Sequence, residues 1–160
     1  MTLAYVGIGS NLDRPREQVL QAFEELGKIP RTRLTKRSSL YRSAPVGHTD
    51  QPDFVNAVGE LDSALTPMEM LQQLQQIESR HGRERSFQNA PRTLDLDLLL
   101  YQGSIFHSPD LTLPHPRMHQ RAFVLKPLLE IAPDAFIPGI GLASASLEKV
   151  SIQKAERIVG

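Results

Sequence analysis

The sequence predicts an α+β fold, a ferredoxin-like βαββαβ sandwich with C-terminal additions, and three observations lead there. Apolar residues recur at strand period and helix period in the order strand, helix, strand, strand, helix, strand. Both helical stretches carry a start signal and a closing glycine. The last strand lies in Ala90-Pro91-Arg92-Thr93-Leu94-Asp95-Leu96-Asp97-Leu98-Leu99-Leu100, a run greasy enough for a sheet interior that nevertheless holds two carboxylates.

Taken in order, Leu3 to Ile8 form a buried strand. Asp13 is expected to cap a first helix, with Pro15 in its first turn and Val19, Leu20, Phe23 and Leu26 as its apolar stripe; Gly27 ends it. Strands are expected from Leu34 to Tyr41 and from Phe54 to Leu61, separated by a loop with Pro45, Gly47 and Pro52. Thr66-Pro67 starts a second helix with Met68, Leu71, Leu74 and Ile77 as its core stripe, and Gly82 closes it. A polar, arginine-bearing loop then runs to Pro91 before the acidic strand. Beyond a proline-rich stretch ending at Arg117, a helix is expected from about Gln120 to Glu130 and a short one near Ser144 to Val150.

A chain of 160 residues without a repeat, linker or low-complexity tract reads as one domain, residues 1 to 160, able to bury about two thirds of its unfolded surface. Eighteen basic and eighteen acidic residues leave no basic excess, which argues against a general nucleic-acid or membrane-surface binder. Cysteine is absent, so thiol catalysis, thiolate metal sites and disulfides are excluded. With no basic leader and no apolar run of membrane-spanning length, the expectation is a soluble protein of the cytoplasm.

On the acidic strand Asp95 and Asp97 share one face, while Leu94, Leu96, Leu98 and Leu100 fill the other. Leu99 and Tyr101 should follow the aspartates and leave their face only half wet. Two like charges about 7 Å apart in such a place repel, so something positive belongs between them. Carboxylates without a neighbouring histidine or cysteine are hard oxygen ligands, suited to Mg²⁺, which completes its shell with water and substrate phosphates. A solvated strand face is the plain alternative. Arg83, Arg85 and Arg92 before the strand, and His115, Arg117, His119 and Arg121 after it, supply cations that can meet phosphate oxygens.

Gly7-Ile8-Gly9-Ser10-Asn11-Leu12 follows a strand, but Leu12 occupies the third glycine position of a dinucleotide fingerprint, and no Walker-type lysine motif exists. Gly9-Ser10-Asn11 is expected to be a tight turn. Phe54 and Asn56 share a strand face, and an aromatic ring beside an amide suits a flat heterocycle, with Phe123 as a candidate second stacking ring; a core Phe is the plain alternative. Gln75 and Glu78 lie on one side of the second helix, where surface solvation is the plain reading. A ferredoxin-like RNA-binding module and a metal-dependent phosphohydrolase are rival readings. The first lacks paired sheet aromatics and basic excess; the second would use the same aspartates.

Gly9-Ser10-Asn11-Leu12, Gln51-Pro52-Asp53-Phe54-Val55-Asn56-Ala57, Arg83-x-Arg85, Ala90-Pro91-Arg92-Thr93-Leu94-Asp95-Leu96-Asp97, and Pro114-His115 through Arg121-Ala122-Phe123 occur in order. Together they resemble the 6-hydroxymethyl-7,8-dihydropterin pyrophosphokinases of folate biosynthesis, from residue 1 to about Pro138. The resemblance implies a monomer that moves the pyrophosphoryl group of ATP onto the hydroxymethyl oxygen of 6-hydroxymethyl-7,8-dihydropterin and releases AMP. It implies two Mg²⁺ ions on Asp95 and Asp97, with Arg83 and Arg92 as further catalytic residues. ATP is expected at Gln75, Glu78, Arg85, Leu98, Thr112, His115 and Arg121, and the pterin at Ser43, Pro45, Val46, Phe54, Asn56 and Phe123. Asn89 stands where many members carry an aromatic residue, Asp110 where some carry an arginine, and Pro116 where an aromatic is usual.

Overall fold

A computed structural model describes residues 1–44, 52–82 and 93–158. Strand β1 (Thr2–Ser10) leads into helix α1 (Pro15–Leu26), followed by β2 (Thr32–Arg37), β3 (Tyr41–Ser43) and β4 (Phe54–Ser63). Helix α2 (Pro67–Arg80) and strand β5 (Asp95–Tyr101) complete the predicted core. After it come β6 (Phe106–His107), β7 (Thr112–Leu113), a 3₁₀ turn at Met118–Gln120, and α3 (Ala122–Ile131). The hairpin β8 (Phe136–Ile137) and β9 (Gly141–Leu142), helix α4 (Ala143–Lys149) and strand β10 (Ala155–Arg157) close the chain.

The main sheet runs β10-β3-β4-β1-β5, with β2 also on β4, and every pairing in it is antiparallel. This is the expected ferredoxin-like order, extended at one edge by β10. Helices α1 and α2 cover one face through Val19, Ala22, Phe23, Leu26, Met70, Leu74 and Ile77, packed on Ala4, Val6, Ile8, Val55, Ala57, Leu61, Leu96 and Leu98. On the opposite face α3 sets Val124, Leu125, Leu128 and Ile131 against Val58, Leu99 and Leu100. Helix α3 covers only part of that face, and a cleft lined by Gly7, Gly9, Asn56, Asp95 and Asp97 opens beside it.

Several local expectations are corrected. Asp13 does not cap α1: Asp13 and Arg14 both take left-handed backbone, at φ 57° and 60°, and Arg14 occupies the cap position without a side-chain bond. The turn out of β1 is too sharp for an extended cap residue, and Gln18 Nε2 ties it by donating to the Asp13 carbonyl at 3.1 Å. Leu20 is exposed, and Ala22 takes its place against the sheet. Thr66, by contrast, forms a complete capping box with Glu69 at the start of α2.

The strand expected from Leu34 to Tyr41 is two strands. Ser38 interrupts it, its Oγ accepting the Val58 N–H at 2.9 Å, and the chain resumes as β3 nearer the start of β4. On β5, Leu98 pairs with Val6 and Leu100 with Tyr5, leaving Leu99 as an extra residue at a bulge. Leu99 and Leu100 therefore both pack towards α3, while Tyr101 crosses to the α1/α2 side, where its hydroxyl donates to the Leu65 carbonyl. Alternation places Leu100 and Tyr101 on the wrong sides because it presumes an unbroken pleat. No helix among the described residues is long and apolar enough to cross a membrane.

Candidate active site

The cleft is floored by β4, β1 and the edge strand β5. Gly9 pairs with Asn56 on one side and Asp95 on the other; Gly7 pairs with Val58 and Asp97. The two glycines thus face the same way as the two aspartates and the amide. A Cβ on Gly9 would lie 3.4 Å from Asn56 Oδ1 and 3.8 Å from Phe54, and one on Gly7 would lie 3.5 Å from the Leu99 methyl groups. Without side chains there, the floor stays low and a cavity of about 150 Å³ opens above it.

Ser43, Ala44, Phe54 and Asn56 form one wall of this cavity, Asp95 and Asp97 line it from β5, and Arg117, Arg121, Phe123 and Val124 form another wall. Asn56 is buried, and its Nδ2 donates to Ser43 Oγ at 2.7 Å, so its amide carbonyl is oriented by the strand pair. The Arg121 guanidinium lies 5.6 Å from the Phe123 ring centroid, a cation–π contact that holds charge and ring as one unit at the start of α3. Ser10 and Asn11 belong to the bracing rather than the lining: Ser10 Oγ donates to the Thr93 carbonyl and Asn11 Nδ2 to the Pro52 carbonyl at 3.2 Å. Gly9 itself lies in β1, not in the expected turn.

His115 enters from the loop after β7, its backbone N–H donating to the Leu99 carbonyl at 2.9 Å. Burial, with the Arg121 and Arg117 guanidinium charges, pushes its imidazole down to about 4 against the opposing pull of Asp95. Nδ1 accepts the Arg117 N–H at 3.1 Å, so the neutral ring carries its proton on Nε2 and is a hydrogen-bond donor at pH 7. The unfolded chain takes up a proton near 6.5 that the folded ring refuses, so stability falls as pH drops from about 6.5 towards 4. His115→Asn should therefore lose about 2 kcal/mol less than the parent between pH 7 and pH 5 in denaturant unfolding. Equal losses in the two proteins would contradict that origin.

Other expected residues lie elsewhere. Glu78 is buried on the α2 side of the sheet, where its Oε2 accepts the Leu96 N–H at 2.8 Å. It grips the backbone between the two aspartates at the open edge of β5. Leu98 is buried in the α1/α2 core, Gln75 is exposed on α2, and Thr112 is half-buried in β7 opposite His107. Asp110 is exposed and does not line the cavity. Pro45, Val46, Arg83, Arg85, Asn89 and Arg92 lie outside the described residues. Sequence reasoning passed over the floor, although Gly7 and Gly9, spaced by two on a strand like the aspartates, carried the signal.

Can these residues hold Mg²⁺? Among the described residues no cluster of three or more histidine, cysteine or acidic side chains could form a protein-only cage. Two half-buried carboxylates on adjacent same-face positions, beside a glycine floor and a basic wall, suit a hard cation whose remaining ligands are water and phosphate.

The family profile of 7,8-dihydro-6-hydroxymethylpterin-pyrophosphokinase (HPPK) matches residues 5–133, which take in the sheet except β10 and the first residues of β1, both carboxylates and the Arg121/Phe123 wall. The chain belongs to the HPPK family. The 2-amino-4-hydroxy-6-hydroxymethyldihydropteridine pyrophosphokinase of Haemophilus influenzae is 46% identical over 138 residues, covering 86% of each chain. Its Pseudomonas aeruginosa counterpart is 48% identical over 134 residues, covering 84% of this chain and 83% of that one. The HPPK activity is that of a pyrophosphokinase in folate biosynthesis. Among solved structures, Plasmodium falciparum HPPK-DHPS with pteroate superposes with a TM-score of 0.74 at 13% identity, a likeness of fold. The match covers 92% of this chain but only 42% of that one, so this chain spans less than half the length of that protein.

Proposed function

We propose that the cleft carries out transfer of the β,γ-pyrophosphoryl group of ATP to the hydroxymethyl oxygen of 6-hydroxymethyl-7,8-dihydropterin. The observation that carries this reading is the meeting, in one cavity, of the Asp95/Asp97 pair with the Ser43, Phe54, Asn56 and Phe123 cluster. The first is a platform for metal-bound phosphates; the second suits a flat, polar-edged ring. The hydroxymethyl oxygen attacks the β-phosphorus, the bond from that phosphorus to the α,β-bridging oxygen breaks, AMP leaves with that oxygen, and the hydroxyl proton passes to solvent.

Asp95 and Asp97 would hold two Mg²⁺ ions, which when bound neutralise the phosphate oxygens and ease loss of the hydroxyl proton. Phe54 and Phe123 present ring faces to the heterocycle, and the oriented Asn56 amide reads its edge. Arg121, Arg117 and the Nε2–H of His115 would meet the phosphates, with Arg83, Arg85 and Arg92, outside the described residues, as further cations by the resemblance. Glu78 holds the acid strand through its backbone at the sheet edge. Gln75, Leu98 and Thr112 belong to the nucleotide end, Leu98 through its backbone alone since its side chain is core. Pro45 and Val46, outside the described residues, are assigned to the pterin by the resemblance alone. We further infer a monomer of the cytoplasm that binds neither nucleic acid nor membrane, in keeping with the absence of net charge.

AMP formation from ATP, with and without the pterin, tests the reaction directly. AMP should appear only when the pterin and Mg²⁺ are both present; phosphate release without pterin would favour the phosphohydrolase reading. Phe123→Ala should weaken pterin binding by about 1 to 3 kcal/mol, the worth of a buried ring face, with a much smaller loss for the nucleotide. Calorimetric titration of each ligand separates the two, and equal losses would place Phe123 outside the pterin pocket.

A further inference from the structure

The C-terminal segment lies beyond residues 5–133, the span of the HPPK profile, and it touches both walls of the cleft. Past α4, Gln153 reaches back to the junction between the 3₁₀ turn and α3. Its Oε1 accepts the Ala122 N–H at 3.0 Å, and its Nε2 donates to the Gln120 carbonyl at 2.9 Å. These bonds bracket Arg121. Arg121 occupies the cap position of α3 and makes no side-chain cap bond, so the first amide of that helix is satisfied from outside, by Gln153. Only one orientation of the side-chain amide satisfies both partners, since one is a donor and the other an acceptor.

Two residues on, the Ala155 carbonyl accepts from Lys126 Nζ of α3 at 2.8 Å. Ala155 also pairs with Ser43 on β3, and the Ile158 N–H donates to the Leu40 carbonyl at 2.8 Å. Ser43 in turn accepts from the Asn56 amide. One short strap therefore joins the Arg121/Phe123 wall to the Ser43/Asn56 wall.

We propose that Gln153 is a positioning residue for substrate binding: by clamping the Gln120–Ala122 junction it sets where Arg121 and Phe123 stand relative to Ser43 and Asn56. This rests on the site reading above. Gln153 touches no substrate; it acts through the two residues it brackets.

The test is a coupling measurement on the full chain, using 6-hydroxymethyl-7,8-dihydropterin as the probe in the presence of Mg²⁺ and a non-transferable ATP analogue. Gln153→Ala should raise the pterin dissociation constant about 3- to 10-fold, the usual worth of lost hydrogen bonds at a partly exposed site. Gln153→Glu, which keeps an acceptor for the Ala122 N–H but loses the donor to Gln120, should fall between. In a Phe123→Ala background the Gln153→Ala loss of pterin affinity should largely disappear, because the pterin-facing residue of the two it positions is gone. An undiminished, additive loss in that background would mean general destabilisation and overturn the proposal. A normal Phe123→Ala loss with no effect of Gln153→Ala would overturn the strap alone. No effect of Phe123→Ala would overturn the site reading and the strap with it.

Discussion

Asp97→Ala should abolish Mg²⁺-dependent AMP formation, lowering turnover by about three orders of magnitude or more while leaving the fold intact. The side chain projects from β5 into the cleft beside Gly7, half-buried and away from the α1/α2 core, so its removal opens no cavity in that core. What is lost is a carboxylate that offsets divalent charge, and water cannot replace that where a polyphosphate must also be bound. Asp97→Asn, which keeps the shape and loses the charge, should fall close to alanine if charge is the decisive quantity. AMP production across a Mg²⁺ titration, with circular dichroism as the control for folding, measures this. Turnover near the parent level in either variant would remove Asp97 from the metal platform.

Gly9→Leu should cost pterin affinity about 100-fold or more, although it alters no polar group. The Cβ position lies 3.4 Å from Asn56 Oδ1 and 3.8 Å from Phe54, so the branches of a leucine rise into the space where a ring would lie against those two residues. The strand tolerates the change: Gly9 has no left-handed backbone, and a β conformation accepts any side chain. Gly9→Ala places only the Cβ at ordinary van der Waals distance and should lose far less. Pterin binding by fluorescence titration, compared across glycine, alanine and leucine, reads the height of the floor. A leucine variant that binds pterin normally would show that the ring lies elsewhere in the cleft.

The local part of this site was legible. Asp95 and Asp97 share a face because a strand repeats every two residues, and the same rule sets Phe54 beside Asn56; both pairs line the cleft. The Thr66 and Pro67 signal held because a capping box is completed within four residues. Where the deciding partner was remote, the same reasoning failed. The Leu99 bulge depends on how β5 meets β1, and the break at Ser38 on a bond to Val58. Glu78 looked like a surface residue of an amphipathic helix until α2 docked and set its carboxylate against the Leu96 amide.

Period, capping and residue chemistry act over a few positions, so the sequence by itself determined the ββ-interrupted helix order, the acidic pair with its cations, and the membership of a recognisable enzyme family. Only the tertiary structure decided that Gly7 and Gly9 are the floor, that Arg121 and Phe123 act as one unit, and that Gln153 reaches back over about thirty residues to hold them. Those arrangements arise from register and from hydrogen bonds between segments far apart in the chain, and no local pattern carries the coordinates of a distant partner.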